Sequence, residues 1–252
     1  MKIALIPGHT KTSSGAVNYK GESEYPWALR VLTKAIAYMP KIECVIITRD
    51  NIGIEGAVKK AKELGCIAVY EQHFNWCESD PKEDIEILAD KRLPKSIKWA
   101  KFIAKKQNET YKSFGLRRDM GCFATTPSDR GGNNVAQAVT HGIEYSVLGE
   151  AQFGNLRNSD AEQIFEHDDM FAKFIGDTMT EFFTAEGLLG DAPTEKPWEM
   201  PPVADPKKWN PEGFITKLKK LLDDPTDERI ADMRDTVLPS AEAKIRALLT
   251  AK

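Results

Sequence analysis

Short apolar runs and amphipathic stretches alternate through most of residues 2–183 of this 252-residue chain. Lys2 to Ile6, Glu43 to Thr48, Cys66 to Tyr70, Asp84 to Leu88, Gly121 to Ala124 and Tyr145 to Leu148 are short and rich in β-branched or apolar residues, which predicts buried strands. Between them lie stretches of helical spacing. In residues 24–39, Trp27, Leu29, Val31, Leu32, Ala35 and Ile36 make one apolar face, and Pro26 suits a first turn, where its missing N–H is no loss. Residues 55–64 read as a second helix, closed by Gly65 as a left-handed cap, and residues 94–111 as a third. Ser159-Asp160-Ala161-Glu162 has the form of a capping box and predicts a helix running to about Phe183. Strands that alternate with helices imply an α/β fold: a mostly parallel twisted sheet with helices on both faces. Ligands of such sheets gather beyond the carboxyl ends of the strands.

The remainder of the chain differs in character. Residues 190–206 contain Pro193, Pro197, Pro201, Pro202 and Pro206 and read as a linker. Residues 207–252 carry three apolar stripes at helical spacing and read as a small helical C-terminal region. Residues 1–189 are then the expected catalytic domain. A net charge of −3 provides no global basic field for nucleic acid. No stretch is apolar enough and long enough to span a bilayer. Met1-Lys2 leads straight into a strand rather than a signal core, so synthesis in a cytoplasm without a signal peptide is expected. Cys44, Cys66, Cys77 and Cys122 form no C-x-x-C pair. Cys44 and Cys66 sit in apolar strand-like runs and are expected to be buried free thiols, while Cys77, which closely follows His73, has a metal-ligand role as an alternative. Nothing specifies an oligomer, and a monomer is favoured.

Three phrases carry chemistry. Pro7-Gly8-His9 and Glu71-Gln72-His73-Phe74-Asn75 each place a histidine at the end of an apolar run, and Gly149-Glu150-Ala151-Gln152-Phe153 places a glutamate in the same setting. Glu24 opens the first helix. Two histidines and a carboxylate suit Zn²⁺, and three protein ligands leave a position for water. A carboxylate beside the metal, but not on it, can move the proton that an amide's leaving nitrogen needs. His9, Glu24 and His73 are thus candidate zinc ligands and Glu150 the candidate catalytic group. Taken singly, each has an ordinary alternative. His9 could be a loop histidine, His73 a satisfied core or edge histidine, and Glu150 half of a structural ion pair. Glu22 competes with Glu24, and either suits the start of a helix. Gly131-Gly132-Asn133-Asn134 reads as a turn.

This ordered set resembles the zinc-dependent N-acetylmuramoyl-L-alanine amidases of the cell-separation and phage-endolysin type, over roughly residues 2–185. Thr48-Arg49 and Asp84-Ile85-Glu86-Ile87 are also similar to that family's segments. The resemblance implies that His9, Glu24 and His73 bind zinc, that Glu150 is catalytic, and that the substrate is peptidoglycan, cut between N-acetylmuramic acid and L-alanine. It also implies an endolysin that acts at the bacterial cell wall after release. The chain departs from the family pattern in three places. Ile6-Pro7 precedes Gly8-His9 where the family often has an acidic residue, Ala28 stands where Asn is frequent, and Gln152 stands where Gly is common. An outer-shell carboxylate must then be missing or come from elsewhere. Two other readings stay open: a different zinc peptidase or amidohydrolase on the same scaffold, and a non-catalytic wall-binding module.

Overall fold

Residues 1–78, 84–111, 115–116 and 122–189 are described by the computed structural model. The expected linker and C-terminal helices lie outside the described residues. Strand β1 (Lys2–Pro7) is followed by α1 (Glu24–Ala35) and a short 3₁₀ turn (Ile36–Tyr38), then β2 (Glu43–Ile46), α2 (Gly53–Glu63) and β3 (Ala68–Asn75). Next come β4 (Asp84–Asp90), α3 (Pro94–Thr110), β5 (Gly115–Leu116) and β6 (Cys122–Thr125). The domain closes with α4 (Gly132–His141), β7 (Tyr145–Phe153), α5 (Ser159–Phe165) and α6 (Asp168–Ala185).

The sheet runs in the order β2-β1-β3-β7-β4-β5, and β6 also pairs with β4. β2, β1, β3 and β7 are mutually parallel, so their carboxyl ends share one edge. β4 runs antiparallel to β7, while β5 and β6 run parallel to β4. The expected mostly parallel α/β sheet is therefore present, with one antiparallel junction.

Alternation along the strands divides the core into two layers. Ile3, Leu5, Ala68, Tyr70, Tyr145 and Val147 pack against α1, α3, α5 and α6. Ala4, Ile6 and Val69 face α2 and α4, where they meet Ala57, Val58, Ala61 and Ala138. Helices thus cover both faces, as the strand–helix alternation requires. The thicker layer is aromatic. Trp27 of α1 is fully buried and contacts Phe74, Phe165 and Phe171, with ring centroids 5.4, 5.3 and 5.9 Å away. Such contacts add specific geometry to a large apolar burial and fix α1 on the sheet.

The predicted boundaries need three corrections. The residues read as a turn at Gly131-Gly132-Asn133-Asn134 open a helix: Gly131 is its left-handed N-cap (φ 71°), and α4 follows. The long helix expected from residue 159 to about 183 is two helices broken at Glu166-His167. Its cap is Asn158 rather than Ser159, because the Asn158 side chain accepts the Ala161 N–H at 2.8 Å. β3 and β7 continue beyond the predicted ends, so His73 and Glu150 lie inside strands rather than after them. No helix among the described residues is long and apolar enough to cross a membrane.

Candidate metal centre

His9 follows β1 across Gly8, whose N–H continues the pairing to β3 by donating to Gln72 O at 2.9 Å. A Cβ on Gly8 would stand 2.6 Å from His73 Nδ1 and Cε1, so only glycine lets β1 pass this close. His9 itself adopts a left-handed backbone (φ 65°), which is rare for a non-glycine residue, and its ring centroid lies 5.1 Å from that of His73. The Arg49 Nε donates to its carbonyl at 3.3 Å.

Glu24 is the first residue of α1. Ser23 makes no side-chain cap. The orphan N–H groups of Glu24 and Tyr25 are instead satisfied by the carbonyls of Ala16 and Ser14, each at 3.0 Å. The loop from His9 to Ser23 is thereby pinned to the helix start. At Gly15 (φ 81°) a Cβ would meet the His9 ring at 2.5 Å and Glu24 Oε2 at 2.7 Å. Glu24 is 2% exposed. Its Oε1 accepts the Phe74 N–H at 3.2 Å and lies 2.6 Å from His73 Nδ1; its Oε2 accepts the Ala16 N–H at 3.3 Å and lies 3.1 Å from His9 Nε2. Glu22, the competing carboxylate, pairs with Arg30 instead, at 2.8 Å for the Nη2–Oε2 contact.

His73 and Glu150 are register partners on the parallel strands β3 and β7, so they share a face. Glu71, two residues before His73, lies on that face too, and its Oε1 is 2.8 Å from His73 Nε2. Arg49 Nη1 and Asn134 Nδ2 reach the same oxygen, each at 2.8 Å. Asn75 fixes the end of the strand: its Nδ2 donates to Glu86 Oε2 at 3.0 Å, and its Oδ1 accepts the Trp76 N–H at 2.9 Å. Glu150 differs from these. Its Oε2 is buried and has no hydrogen-bond partner among the described residues. His9, Glu24, His73, Trp76, Arg130 and Glu150 all line one cavity of about 570 Å³.

The electrostatics follow from burial and neighbours. Burial pushes the Glu150 carboxyl up to about 7, helped by Glu24 and Glu86 and opposed by His73 and Arg130. Burial also works against the charge on Glu24, but hydrogen bonds to His73 and His9 outweigh it and hold this carboxyl at about 2. Burial likewise opposes a charged His73, yet its bonds to Glu24 and Glu71 push it up to about 10. A divalent cation between these groups would reverse that last balance, because a ligating imidazole is neutral.

Donor atoms of His9, Glu24 and His73 all lie within 4.8 Å of one another. Two imidazoles and one carboxylate at this spacing match the ligand types of an open zinc site, and Gly8 and Gly15 leave the space between them free of Cβ atoms. The three side chains could therefore hold a metal ion. Sequence reasoning had selected all four of His9, Glu24, His73 and Glu150, and the fold brings them to one cavity. It missed Glu71 and Asn134, and it noted Arg49 only as part of a similar segment. The parity of β3 carried a signal for Glu71, since residues i and i+2 of a strand share a face.

No protein-family model matches the sequence, and no curated protein sequence matches it. Solved structures do. The N-acetylmuramoyl-L-alanine amidase AmiC2 of Nostoc punctiforme superposes with a TM-score of 0.57 at 17% identity, over 73% of this chain and 97% of that one. The N-acetylmuramyl-L-alanine amidase Ami1 of Mycobacterium smegmatis gives the same TM-score of 0.57 and 17% identity, over 73% and 97%. The catalytic domain of the amidase CwlV from Bacillus (Paenibacillus) polymyxa var. colistinus gives 0.52 at 19% identity, over 73% and 98%. The chain therefore has the fold of the N-acetylmuramoyl-L-alanine amidases.

Proposed function

We propose that this chain is a zinc-dependent N-acetylmuramoyl-L-alanine amidase that hydrolyses the amide between N-acetylmuramic acid and L-alanine in peptidoglycan. One observation carries the reading. A candidate ligand set of His9, Glu24 and His73 shares a cavity with Glu150, whose buried Oε2 has no hydrogen-bond partner among the described residues, on a fold otherwise seen in such amidases. When bound, zinc would supply Lewis acidity toward the amide carbonyl and make water more acidic. The chain's own residues would do the rest. His9, Glu24 and His73 would hold the ion. Ionised Glu150 would take a proton from the attacking water and hand it to the departing nitrogen, which leaves as a neutral amine. A carboxyl held near 7 is suited to both halves of that transfer. Trp76, 40% exposed at the rim, and the exposed Arg130 present a flat apolar face and a cation to whatever enters.

The test is digestion of purified peptidoglycan by metal-free protein, by zinc-reconstituted protein and by Glu150→Gln. Only the reconstituted wild type should release new L-alanine amino termini, and no new reducing sugar ends should appear. Reducing ends would instead mean glycosidase chemistry, and release of other amino termini would mean a peptidase. Zinc binding with no cleavage of any wall preparation would favour a non-catalytic wall-binding module. The endolysin setting is a separate part of the proposal. It expects purified protein to lyse permeabilised cells and to leave cells with an intact outer barrier unharmed.

A further inference from the structure

We propose that Glu71 is a positioning residue for His73, anchored by Arg49 and Asn134, which holds the imidazole with Nδ1 toward the metal position and Nε2 protonated toward the strand. The inference rests on the zinc reading above and concerns a residue that lies outside the ligand and catalytic set. The Glu71 carboxylate is 4% exposed, and three donors converge on its Oε1: His73 Nε2, Arg49 Nη1 and Asn134 Nδ2, each at 2.8 Å. A neutral imidazole carries one N–H, and a carboxylate can only accept. Both ring nitrogens face carboxylate oxygens, Nε2 toward Glu71 Oε1 and Nδ1 toward Glu24 Oε1 at 2.6 Å, on the side where His9 also points. An ion held by His9, Glu24 and His73 would replace the proton on Nδ1, and the one N–H of the neutral ring would then be on Nε2, toward Glu71. A carboxylate behind a ligating histidine fixes its tautomer and raises its basicity.

The charge on Glu71 has its own support. An ionised carboxylate at this depth is unfavourable unless it is paired. Arg49, only 7% exposed, supplies the opposite charge, and the same guanidinium donates through Nε to His9 O at 3.3 Å. One arginine from the loop after β2 thus ties the surroundings of both histidines together. Asn134 brings α4 into the same network. This arrangement also answers the departure noted at Ile6-Pro7: the carboxylate behind the site comes from β3, two residues from the ligand it serves.

Two measurements test the role. In the first, zinc affinity is determined by chelator competition for wild type, Glu71→Gln and Glu71→Asp, with near-ultraviolet circular dichroism confirming that each metal-free variant is folded. Gln keeps the volume and an acceptor oxygen but removes the charge that balances Arg49. The zinc dissociation constant should rise about 10- to 100-fold in Glu71→Gln and recover part of the way in Glu71→Asp. An unchanged constant in a folded Glu71→Gln variant would overturn the proposal. The second needs no substitution. Nitrogen-15 NMR of the His73 ring in the zinc-loaded wild type should place the proton on Nε2 and the metal on Nδ1. The opposite assignment would overturn it. A wild type that binds no zinc at all would instead bring down the metal reading itself, so the two failures are distinguishable.

Discussion

A buried carboxylate oxygen without a partner is unfavourable, and proteins rarely keep one that has no task. Glu150 Oε2 is such an atom among the described residues, and its surroundings make definite demands on the rate. It must be ionised to accept a proton, and burial holds its proton on up to about 7. The kcat/KM for peptidoglycan should therefore rise with pH on the acid side and level off between about 5 and 7, the bound cation drawing the midpoint down from the upper value. A pH–rate profile that is already flat below pH 5 would contradict this. Glu150→Gln removes the proton acceptor but touches none of the candidate ligands. Its kcat should fall about 10²- to 10⁴-fold while zinc content stays as in wild type, which a turnover assay and metal analysis of the same sample would check. Loss of zinc together with activity would assign Glu150 to the metal instead.

At the scale of elements, the site depends on how the loop from His9 to Ser23 is tied to α1. No side chain caps this helix; carbonyls of the loop do so. Gly15 is the tightest point, with its positive φ and with the His9 ring and Glu24 in the space a Cβ would take. Gly15→Ala should weaken zinc binding about tenfold or more, on the scale of a disturbed outer shell, as read by isothermal titration. Trp27, on the buried face of α1, is a stability residue. Trp27→Ala should lower unfolding free energy by about 3–5 kcal/mol in a denaturant titration. α1 was legible because Trp27, Val31, Leu32 and Ala35 repeat at helical spacing. α4 was not, because its start is spelled Gly131-Gly132-Asn133-Asn134, residues that favour turns. Val135, Ala136 and Ala138 give it a buried face that only tertiary packing rewards. The break between α5 and α6 was hidden for a similar reason: Glu166 and His167 are unremarkable in a helix, and the change of direction is set by packing of Phe165 and Phe171 around Trp27.

Across the whole molecule, strand content and the convergence of His9, His73 and Glu150 were legible because parallel strands put their carboxyl ends on one edge. The antiparallel entry of β4 beside β7 was not, since the order of strands is decided by long-range pairing that local periodicity does not encode. Nor was the contact of Arg49 with Glu71 and so with His73, because Arg49 lies in the loop after β2 and reaches β3 only when β2, β1 and β3 pair in that order. Among the described residues, the sheet, both core layers and the candidate site lie within residues 1–189, and residues 1–192 form one compact unit. A fragment ending at Leu189 should therefore fold cooperatively and bind zinc with the affinity of the full chain, as thermal melting and chelator competition would read. Elemental analysis of the purified chain tests whether His9, Glu24 and His73 hold one ion between them. One zinc per chain is expected, lost in His9→Ala, Glu24→Ala and His73→Ala. A chain that never takes up zinc, or one that keeps it after His73→Ala, would rule out this ligand set.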